Sequence, residues 1–413
     1  MLSVEEAKAH ILNTITNLKS AKTETIAVAD AQGRVLAADV FAGRDQPPAD
    51  SSAMDGYAVH AADQLATPIT LKLIGEAQAG GNFTDSVGEG QAVRIFTGGI
   101  VPKGADTIVM QENTSSGDSD DEIIINESSH LGRHIRYQGH DFKKGLKLIE
   151  CGKRLGTRDI ALAAAGNNAT IEVYKKPIVA LLSTGDELVS AGEAKNINQI
   201  VNSNAPMLAN LIEMAGGIAH ICPQVGDQEN ALKSAIENIP DADILVTIGG
   251  ASVGNYDLVQ GALKDLGFNL GFWKVAMRPG KPIIFGALPR TGKTDLPVLG
   301  LPGNPVSSIV GSYLFLLPII DELLNCSSQL LTTSQAMLSE DIAENGPRQA
   351  YLRAHISIDK NGQLHTTQLE DQDSAALLSL SQSSGFIMRP PSAPKGKIGE
   401  LVPVIMLTGM GIY

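Results

Sequence analysis

Apolar positions recur at helical spacing at the start of the chain. Val4, Ala7 and Ile11 lie three or four residues apart, which is the spacing of one face of an α-helix. Ser3 and Glu6 form a capping-box pattern, in which each side chain can accept a hydrogen bond from the backbone N–H of the other residue. The pattern predicts an amphipathic helix at the amino end.

Short apolar runs broken by glycine follow this helix and indicate a β-rich unit. They are Ile69–Ile74, Ala92–Thr97, Thr107–Gln111 and Glu122–Asn126. We expect residues 46–141 to form an inserted β domain, and residues 1–45 and 142–176 to form an N-terminal helix and linker domain. The polar stretch Ser115–Asp121 is predicted to be a solvated hairpin tip, because a metal-binding loop needs a fixed pattern of ligands.

After Pro177 the pattern changes to apolar strands that alternate with helices, as in a parallel sheet with helices on its faces. The strands are Ile178–Leu182, Ile244–Ile248 and Val298–Leu301, and the helices are Ala205–Ala215, Glu229–Asn238 and Leu258–Leu266. The apolar stretch Val306–Ile320 is shorter than the roughly 20 residues of a membrane span, so it predicts a buried core helix.

The predicted fold class is therefore a multidomain α/β plus β protein. A central parallel α/β sandwich (177–326) follows the inserted domain and precedes a small C-terminal β domain (327–413). In that last domain Asn361-Gly362 is a strong hairpin signal.

Charge and cysteine content narrow the choice of partners and compartment. The chain has 32 Lys+Arg against 45 Asp+Glu, a net charge of −13, which argues against nucleic acid or an anionic membrane as the main partner. Three scattered cysteines without metal-ligand spacing are typical of reduced thiols in a cytoplasm. The first residues lack the pattern of a signal peptide, so we expect a cytoplasmic protein.

The first candidate site follows the strand Ile178–Leu182. Ser183, Thr184, Gly185, Asp186 and Glu187 combine hydroxyls with two carboxylates, which suits Mg²⁺ or a polar substrate and equally suits a polar turn that caps a helix. Ligands bind outside the carboxyl ends of strands in open α/β sheets. A dinucleotide fingerprint would need three spaced glycines here, and only one is present.

Two further turns follow strands of the same predicted sheet. Gly249, Gly250 and Ser252, with Asp257 after them, allow close approach of backbone N–H groups to a phosphate, beyond what a tight turn would need. The segment Pro302-Gly303-Asn304-Pro305 leads into the apolar helix and either presents free amides to an anion or simply marks the helix start.

Cations and acids accompany these turns in the α/β region. Lys274, Arg278 and Lys281 form a basic cluster in an acidic protein, and Asp227 adds a carboxylate. Cations for phosphate oxygens together with carboxylates for a metal are the layout of phosphate-plus-Mg²⁺ chemistry.

Three segments of the inserted domain also carry candidate site residues. A turn of small residues and hydroxyls contains Asp55, and Thr97 precedes two glycines. Arg136 and the pair His140-Asp141 lie further along the chain.

In these segments the chain resembles the molybdopterin molybdenumtransferase family, the MoeA proteins that include the E domain of gephyrin. The resemblance covers nearly the whole chain, in order. The segments that carry it are Ser51–Tyr57, Thr97–Asp106, Ser183–Leu188, Gly249–Asp257, Met277–Pro282 and Leu301–Ser307.

The resemblance implies the last step of molybdenum cofactor synthesis. Adenylated molybdopterin and molybdate would yield the finished cofactor and AMP, with Mg²⁺ as cofactor. It also implies a homodimer whose site lies between the α/β domain of one subunit and the β-rich region of the other, with transient contacts to an adenylyltransferase and to acceptor molybdoenzymes. Positions matching those the family uses are Asp55, Thr97, Asp141, Glu187, Asp227, Asp257, Lys274, Arg278, Pro302, Pro305 and Ser374.

Roles for these residues join the resemblance to the chemistry of the side chains. Expected catalytic residues are Asp55, Asp141, Glu187, Asp227 and Asp257, and expected metal ligands are Asp186, Glu187, Asp227 and Asp257. Arg278 stands where lysine is common in the family, and Asn255 and His140 stand where an acid is frequent.

Three other functions compete with this interpretation. The α/β domain alone would fit a molybdopterin adenylyltransferase or an amidohydrolase of a pyridine nucleotide, but the segment Ser51–Tyr57 and the flanking domains argue against both. A scaffold or binding relative would not need the charged site residues. A nicotinamide-dependent dehydrogenase lacks its glycine fingerprint.

Overall fold

The structure is a computed structural model, and it describes residues 1–19, 21–81, 83–250, 258–327 and 331–407. In the first 176 residues the helices and strands are α1 (Val4–Leu18), β1 (Thr23–Ala27), β2 (Val40–Phe41), β3 (Ser51–Ser52), β4 (Gly56–Val59), β5 (Ile69–Ala77), β6 (Gln91–Ile95), β7 (Thr107–Met110), β8 (Thr114–Ser116), β9 (Glu122–Ile125), β10 (Ile135–Arg136), β11 (Lys147–Ile149), α2 (Thr157–Ala165) and β12 (Thr170–Tyr174).

Helix α1 begins at the predicted capping box. The Ser3 hydroxyl accepts a hydrogen bond from the Glu6 backbone N–H, and the Glu6 carboxylate accepts one from Ser3 N at 2.8 Å. The buried face of α1 belongs to the same hydrophobic core as the central sheet. The Thr16 hydroxyl also donates to Glu322 Oε1 at 2.8 Å, near the end of that domain. The helix therefore packs on the α/β domain, although it is joined in sequence to the N-terminal segment.

The rest of the N-terminal unit is built from two small antiparallel pairings, β1 with β12 and β2 with β11. Its own core includes Val28, Leu36 and Val173. Residues 1–45 and 142–176 are thus joined by β pairing. The two chain connections to the inserted domain therefore lie close together. The exact domain limits stay a prediction.

The inserted domain contains a six-stranded sheet in the order β7-β4-β6-β5-β9-β8. Only β5 and β6 pair in parallel, and the other pairs are antiparallel. Strands β8 and β9 flank the polar stretch Ser115–Asp121, whose residues are largely exposed. The predicted solvated hairpin tip is confirmed.

In the second half of the chain the elements are β13 (Ile178–Ser183), β14 (Leu188–Val189), β15 (Ile200–Val201), α3 (Asn204–Met214), β16 (Ile218–Ile221), α4 (Glu229–Glu237), β17 (Ile244–Ile248), α5 (Leu258–Asp265), β18 (Asn269–Trp273), β19 (Met277–Arg278), β20 (Ile284–Leu288), β21 (Leu296–Leu301), α6 (Pro305–Gly311), α7 (Leu317–Leu323), β22 (Thr332–Leu338), β23 (Gln349–Ile358), β24 (Leu364–Gln368), α8 (Leu377–Gln382), β25 (Gly385–Arg389) and β26 (Leu401–Met406).

The central sheet has the order β16-β13-β17-β21-β20-β18 and is mixed. Four strands are parallel, whereas β20 and β18 are antiparallel to their neighbours. Only residues 289–295 connect β20 to β21, and a parallel crossover needs a dozen or more residues. A wholly parallel sheet was therefore wrong at this edge, while the multidomain α/β plus β class is confirmed.

The predicted core helix runs from Pro305 to Leu323, with a π-helical stretch at Ser312–Leu316 between α6 and α7. Its length and composition would allow it to cross a membrane, but 83% of its most apolar window is buried inside the protein. Its side chains contribute to the core that also holds α1. The helix is therefore an internal element of the α/β domain.

The C-terminal domain is a small barrel. Strands β23, β24, β22, β26 and β25 pair in turn, and β25 pairs back with β23 to close the sheet. The predicted hairpin at Asn361-Gly362 joins β23 to β24, and Gly362 has a φ of +82°. Strand β19, which belongs to the α/β region in sequence, pairs with β23 and links the two domains.

Candidate functional site

Three turns meet at the carboxyl edge of the central sheet. Thr184 N donates to Ile248 O at 3.1 Å, and Gly249 N donates to Leu301 O at 3.1 Å. Backbone hydrogen bonds therefore connect the ends of β13, β17 and β21. A cavity of about 950 Å³ opens above them. Of the candidate residues, its lining includes Thr184, Gly185, Glu187, Asp227, Gly249, Gly250, Pro302, Gly303, Asn304 and Pro305.

The two glycines after β17 are required by their backbone. Gly249 and Gly250 have φ of +91° and +65°, in the left-handed region. A Cβ on Gly249 would lie 2.9 Å from the Thr184 carbonyl oxygen, and one on Gly250 would overlap Val259. The glycines thus let the backbone lie against the cavity, as an anion cradle needs. Ser252 and Asp257 of the same segment lie outside the described residues.

Three carboxylates gather beside this cavity. Asp186 Oδ1 accepts a hydrogen bond from Asp227 N at 3.0 Å, and Glu187 lines the cavity with Asp227. The pKa of the Asp227 carboxyl is raised, first by partial burial and then by repulsion from Asp186 and Glu187. An acid held near two others, with no basic partner among the described residues, favours either a proton or a cation.

The carboxylates alone supply only some of the oxygen ligands that Mg²⁺ needs. Within the described residues no group of three or more His, Cys, Asp or Glu side chains is arranged to hold a metal ion. Mg²⁺ is usually bound through one or two carboxylates, with water and substrate phosphate supplying the other oxygens. Oxygen donors of this number, with a raised pKa at Asp227, fit that mode.

The C-terminal domain reaches the same cavity. Asn304 Nδ2 donates to Ser374 Oγ at 2.7 Å, and Val306 N donates to Ser374 O at 3.1 Å. Ser374 therefore holds the turn that begins at Pro302, and its neighbours Ala375 and Leu377 line the cavity.

The basic cluster lies beside the cavity rather than in its described wall. Arg278 and Lys281 are exposed, and the Lys274 ammonium sits 3.8 Å from the ring centroid of Trp273. Lys274 N donates to Ile283 O at 3.1 Å, and Pro282 in the same segment lines the cavity. None of the three cations has an ion pair among the described residues, so no carboxylate neutralises them there.

A second group of candidate residues gathers at one end of the inserted domain. Asp55 Oδ1 accepts hydrogen bonds from Thr97 N and Thr97 Oγ1, both at 2.7 Å. These bonds, backbone first, hold the pKa of Asp55 below its ordinary value. Arg136 pairs with Ser51 in the β10–β3 ladder, and Asp141 N donates to Gln46 O at 2.9 Å.

The two groups are separate within the chain. No residue of the inserted domain is among the described residues that line the cavity. Asp55, Thr97, Arg136 and Asp141 therefore lie apart from Glu187 and its neighbours.

Ser183, a predicted substrate residue, and Asp186, a predicted metal ligand, are not among the described residues that line the cavity. Ser183 is buried at the end of β13, and its hydroxyl has no hydrogen-bond partner in the described part of the chain. Asp186 accepts the Asp227 N–H and does not line the cavity.

Sequence reasoning missed the segment Ile200–Asn204, which forms one wall of the cavity. Asn202, Ser203 and Asn204 stand directly before Ala205. These three residues are of the types preferred at helix starts, and this pattern could have drawn attention to the segment.

A second cavity, of about 540 Å³, lies at the amino edge of the sheet and is lined by lysines and aspartates. Lys293 pairs there with Asp241 at 2.9 Å. In an α/β sheet this is the edge away from the ligand.

The fold and the cavity of about 950 Å³ define a multidomain α/β protein with a cavity at the carboxyl edge of its central sheet, the edge at which open α/β sheets bind ligands. Residues 2–166 match the MoeA N-terminal region (domain I and II), residues 180–322 a probable molybdopterin binding domain, and residues 335–407 the MoeA C-terminal region (domain IV). The chain belongs to the MoeA family. The resemblance seen in the sequence is confirmed.

Relatives match over almost their entire length. A protein of Nostoc sp. named molybdopterin molybdenumtransferase is 33% identical, over 98% of this chain and 94% of that protein. One of the same name from Haemophilus influenzae is 31% identical, over 98% of both. The crystal structure of a molybdopterin biosynthesis MoeA protein from Pyrococcus horikoshii is similar with a TM-score of 0.82 and 27% identity, covering 98% of this chain and 100% of that chain.

Proposed function

We propose that this chain inserts molybdenum from molybdate into adenylated molybdopterin and releases AMP, the final step of molybdenum cofactor synthesis. The observation that carries this proposal is the cavity of about 950 Å³ where glycine amides and carboxylates share one space. Its volume is within the usual range of small-molecule sites. Family membership, with relatives named molybdopterin molybdenumtransferase, supports the same reaction.

Each group of side chains has a part in this reaction. The amides of Gly249 and Gly250 would receive phosphate oxygens, and the turn from Pro302 to Pro305 would hold the pterin end of the substrate. Lys274, Arg278 and Lys281 would attract molybdate and phosphate to the mouth of the cavity, because their charges are not paired in the described structure.

Mg²⁺ is the proposed cofactor, held by Glu187 and Asp227, with Asp257 as a further predicted ligand. When bound, Mg²⁺ would neutralise charge on the phosphate oxygens and favour the departure of AMP. Asp186 would act through the loop, since it accepts the Asp227 N–H. Partial burial and then repulsion from Asp186 and Glu187 raise the pKa of Asp227, and a bound cation would offset that repulsion.

A homodimer in the cytoplasm is the proposed working form. Asp55, Thr97, Arg136 and Asp141 lie outside the described lining of the cavity, so a second copy is the simplest source of these residues at the site. An adenylyltransferase would deliver the substrate and molybdoenzymes would accept the product. Neither nucleic acid nor a membrane has a part in this proposal.

The test is release of AMP from adenylated molybdopterin by the purified chain with Mg²⁺, with and without molybdate. We expect molybdate-dependent release. It should fall by about a hundredfold or more in Glu187→Gln, as when a charged group at a reacting centre is removed. Glu193→Gln is the matched control, because Glu193 is exposed in the next loop, after β14, and does not line the cavity.

Two outcomes would contradict the proposal. AMP that is bound but never released, at any Mg²⁺ concentration, would indicate a binding or scaffolding relative. Equal loss of activity in both glutamate variants would show that the cavity is not where the reaction occurs.

A further inference from the structure

Asn204 places a buried amide in the wall of the main cavity. It is the first residue of α3 and is only 8% exposed. Its Nδ2 donates a hydrogen bond to the Gly303 carbonyl oxygen at 2.5 Å. The side chain thus ties the start of α3 to the turn between Pro302 and Pro305.

This bond decides which way the amide points. A carbonyl oxygen can only accept, so the Asn204 group that faces Gly303 must be the NH₂, and Oδ1 takes the opposite position. Oδ1 is buried and has no hydrogen-bond partner in the described residues. Native proteins rarely leave a buried acceptor unpaired, and a ligand that brings a donor would satisfy it.

Hydrogen bonds of the neighbouring residue Asn202 fix the backbone next to Asn204. Asn202 N donates to Val189 O at 2.9 Å, and Asn202 Oδ1 accepts from Ala205 N at 3.3 Å. Asn202 is therefore satisfied within the protein, unlike Asn204.

The surroundings of Asn204 suit a flat ring with a polar edge. Leu188, Ile200, Val201 and Pro302 also line the cavity, and apolar side chains of this kind contact the faces of aromatic rings. A buried acceptor beside such side chains suits a ring that presents an N–H donor.

We propose that Asn204 Oδ1 accepts a hydrogen bond from the exocyclic amino group of a fused pyrimidine ring of the substrate, and so positions that ring. The inference rests on the proposed function, because adenylated molybdopterin carries two such amino groups. One belongs to the pterin and the other to the adenine.

The test compares equilibrium binding of molybdopterin and, separately, of AMP to the full chain. Asn204→Leu removes the acceptor at similar volume, and Asn204→Ala removes it by truncation. Asn210→Leu is the matched control, since Asn210 is exposed on the same helix and its amide donates to Pro206 O at 2.8 Å.

We expect Asn204→Leu and Asn204→Ala to weaken one ligand about tenfold, the effect of one buried hydrogen bond, and the other by less than about twofold. Weaker binding of molybdopterin would identify the pterin amino group as the partner of Asn204 Oδ1. Weaker binding of AMP would identify the adenine amino group.

The inference is overturned if Asn204→Leu and Asn204→Ala bind both ligands as the unaltered chain does, or weaken both equally. The first result would leave the proposed function standing. If the unaltered chain binds neither ligand, the proposed function fails as well.

If Asn204→Leu and Asn204→Ala do not fold, the inference is tested by binding of ligands that lack the amino group to the unaltered chain. IMP in place of AMP, and a lumazine in place of the corresponding pterin, each carry oxygen where the amino group was. A tenfold weaker affinity of the unaltered chain for one of them supports the inference, and undiminished affinity for both overturns it.

Discussion

The Asp227 backbone N–H donates a hydrogen bond to Asp186 Oδ1 across 3.0 Å, which brings two acidic residues together at the carboxyl edge of the sheet. The contact fastens the loop after β16 to the loop after β13. The pKa of the Asp227 carboxyl is raised there, first by partial burial and then by repulsion from Asp186 and Glu187.

Asp227 should therefore destabilise the folded chain at neutral pH when no cation is bound. A carboxyl whose pKa is raised above its ordinary value of 3.8 stabilises the fold below that value, and the contribution is lost as pH rises through the raised pKa. We expect Asp227→Asn to be more stable than the unaltered chain at pH 7 and equally stable near pH 3. Urea unfolding measures both.

Mg²⁺ should reverse this order, because an ion bound only by the folded state stabilises it. Asp241→Asn is the control with the opposite sign, since Lys293 lowers the pKa of Asp241. An Asp227→Asn chain less stable than the unaltered one at pH 7, without Mg²⁺, would refute the prediction.

Thr97 should control the ionisation of Asp55. The Thr97 backbone N–H and hydroxyl both lower the pKa of Asp55 below its ordinary value of 3.8. The hydrogen bonds to the carboxylate therefore stabilise the fold fully above pH 3.8, and this contribution is lost as the pH falls through the lowered pKa. Thr97→Val removes one donor and should raise the pKa, so that acid loss of AMP release begins at a higher pH. Carboxyl NMR titration checks the pKa directly.

Thr97→Ser keeps the hydroxyl and should titrate like the unaltered chain. If Thr97→Val and Thr97→Ser give the same titration curve, the Oγ1 hydrogen bond does not affect Asp55.

Mixed dimers should recover activity if the site spans two subunits. Asp55→Ala and Glu187→Gln are each expected to be inactive as homodimers. In an equal mixture half of the dimers combine the two variants, and one of their two sites is intact, so about a quarter of full AMP release should return.

Glu187→Gln mixed with Asp227→Asn is the control, because both residues line one cavity and no dimer of these variants has an intact site. Failure of the first mixture to exceed the second, with subunit exchange shown by mass spectrometry, would place the whole site in one chain.

The ion pair of Arg154 with Asp321 should matter more for stability than exposed pairs. Arg154 Nη2 lies 2.8 Å from Asp321 Oδ1, and the side chains are 13% and 10% exposed. Arg154→Met removes a cation from a largely buried ion pair, and we expect it to lower the free energy of unfolding by more than the about 1 kcal/mol at most that an exposed pair contributes. Urea unfolding of Arg154→Met, against Lys397→Met, which breaks the exposed pair with Asp341, gives the comparison. Similar stability in both variants would contradict the prediction.

Local features of the chain could be predicted from sequence because their causes lie within a few residues. The capping box at Ser3, the hairpin at Asn361-Gly362 and the ends of the strands in the central domain are all where the pattern placed them. The glycines after β17 indicated a backbone that side chains would obstruct, and their positive φ angles agree. Family membership followed from several such segments occurring in order.

Partners distant in sequence were decided only by tertiary structure. An apolar stripe such as that of α1 shows that a face is buried, but not that it packs on the α/β domain. The antiparallel edge of the central sheet depends on the pairing of β20 with β21 across their short connection. Asn204 was not singled out from the sequence, and only its contact with Gly303, almost 100 positions away, shows that its Oδ1 is left without a hydrogen-bond partner in the described residues. The sequence by itself thus determined the elements and the family, whereas packing, which depends on which surfaces meet, decided how those elements form a site.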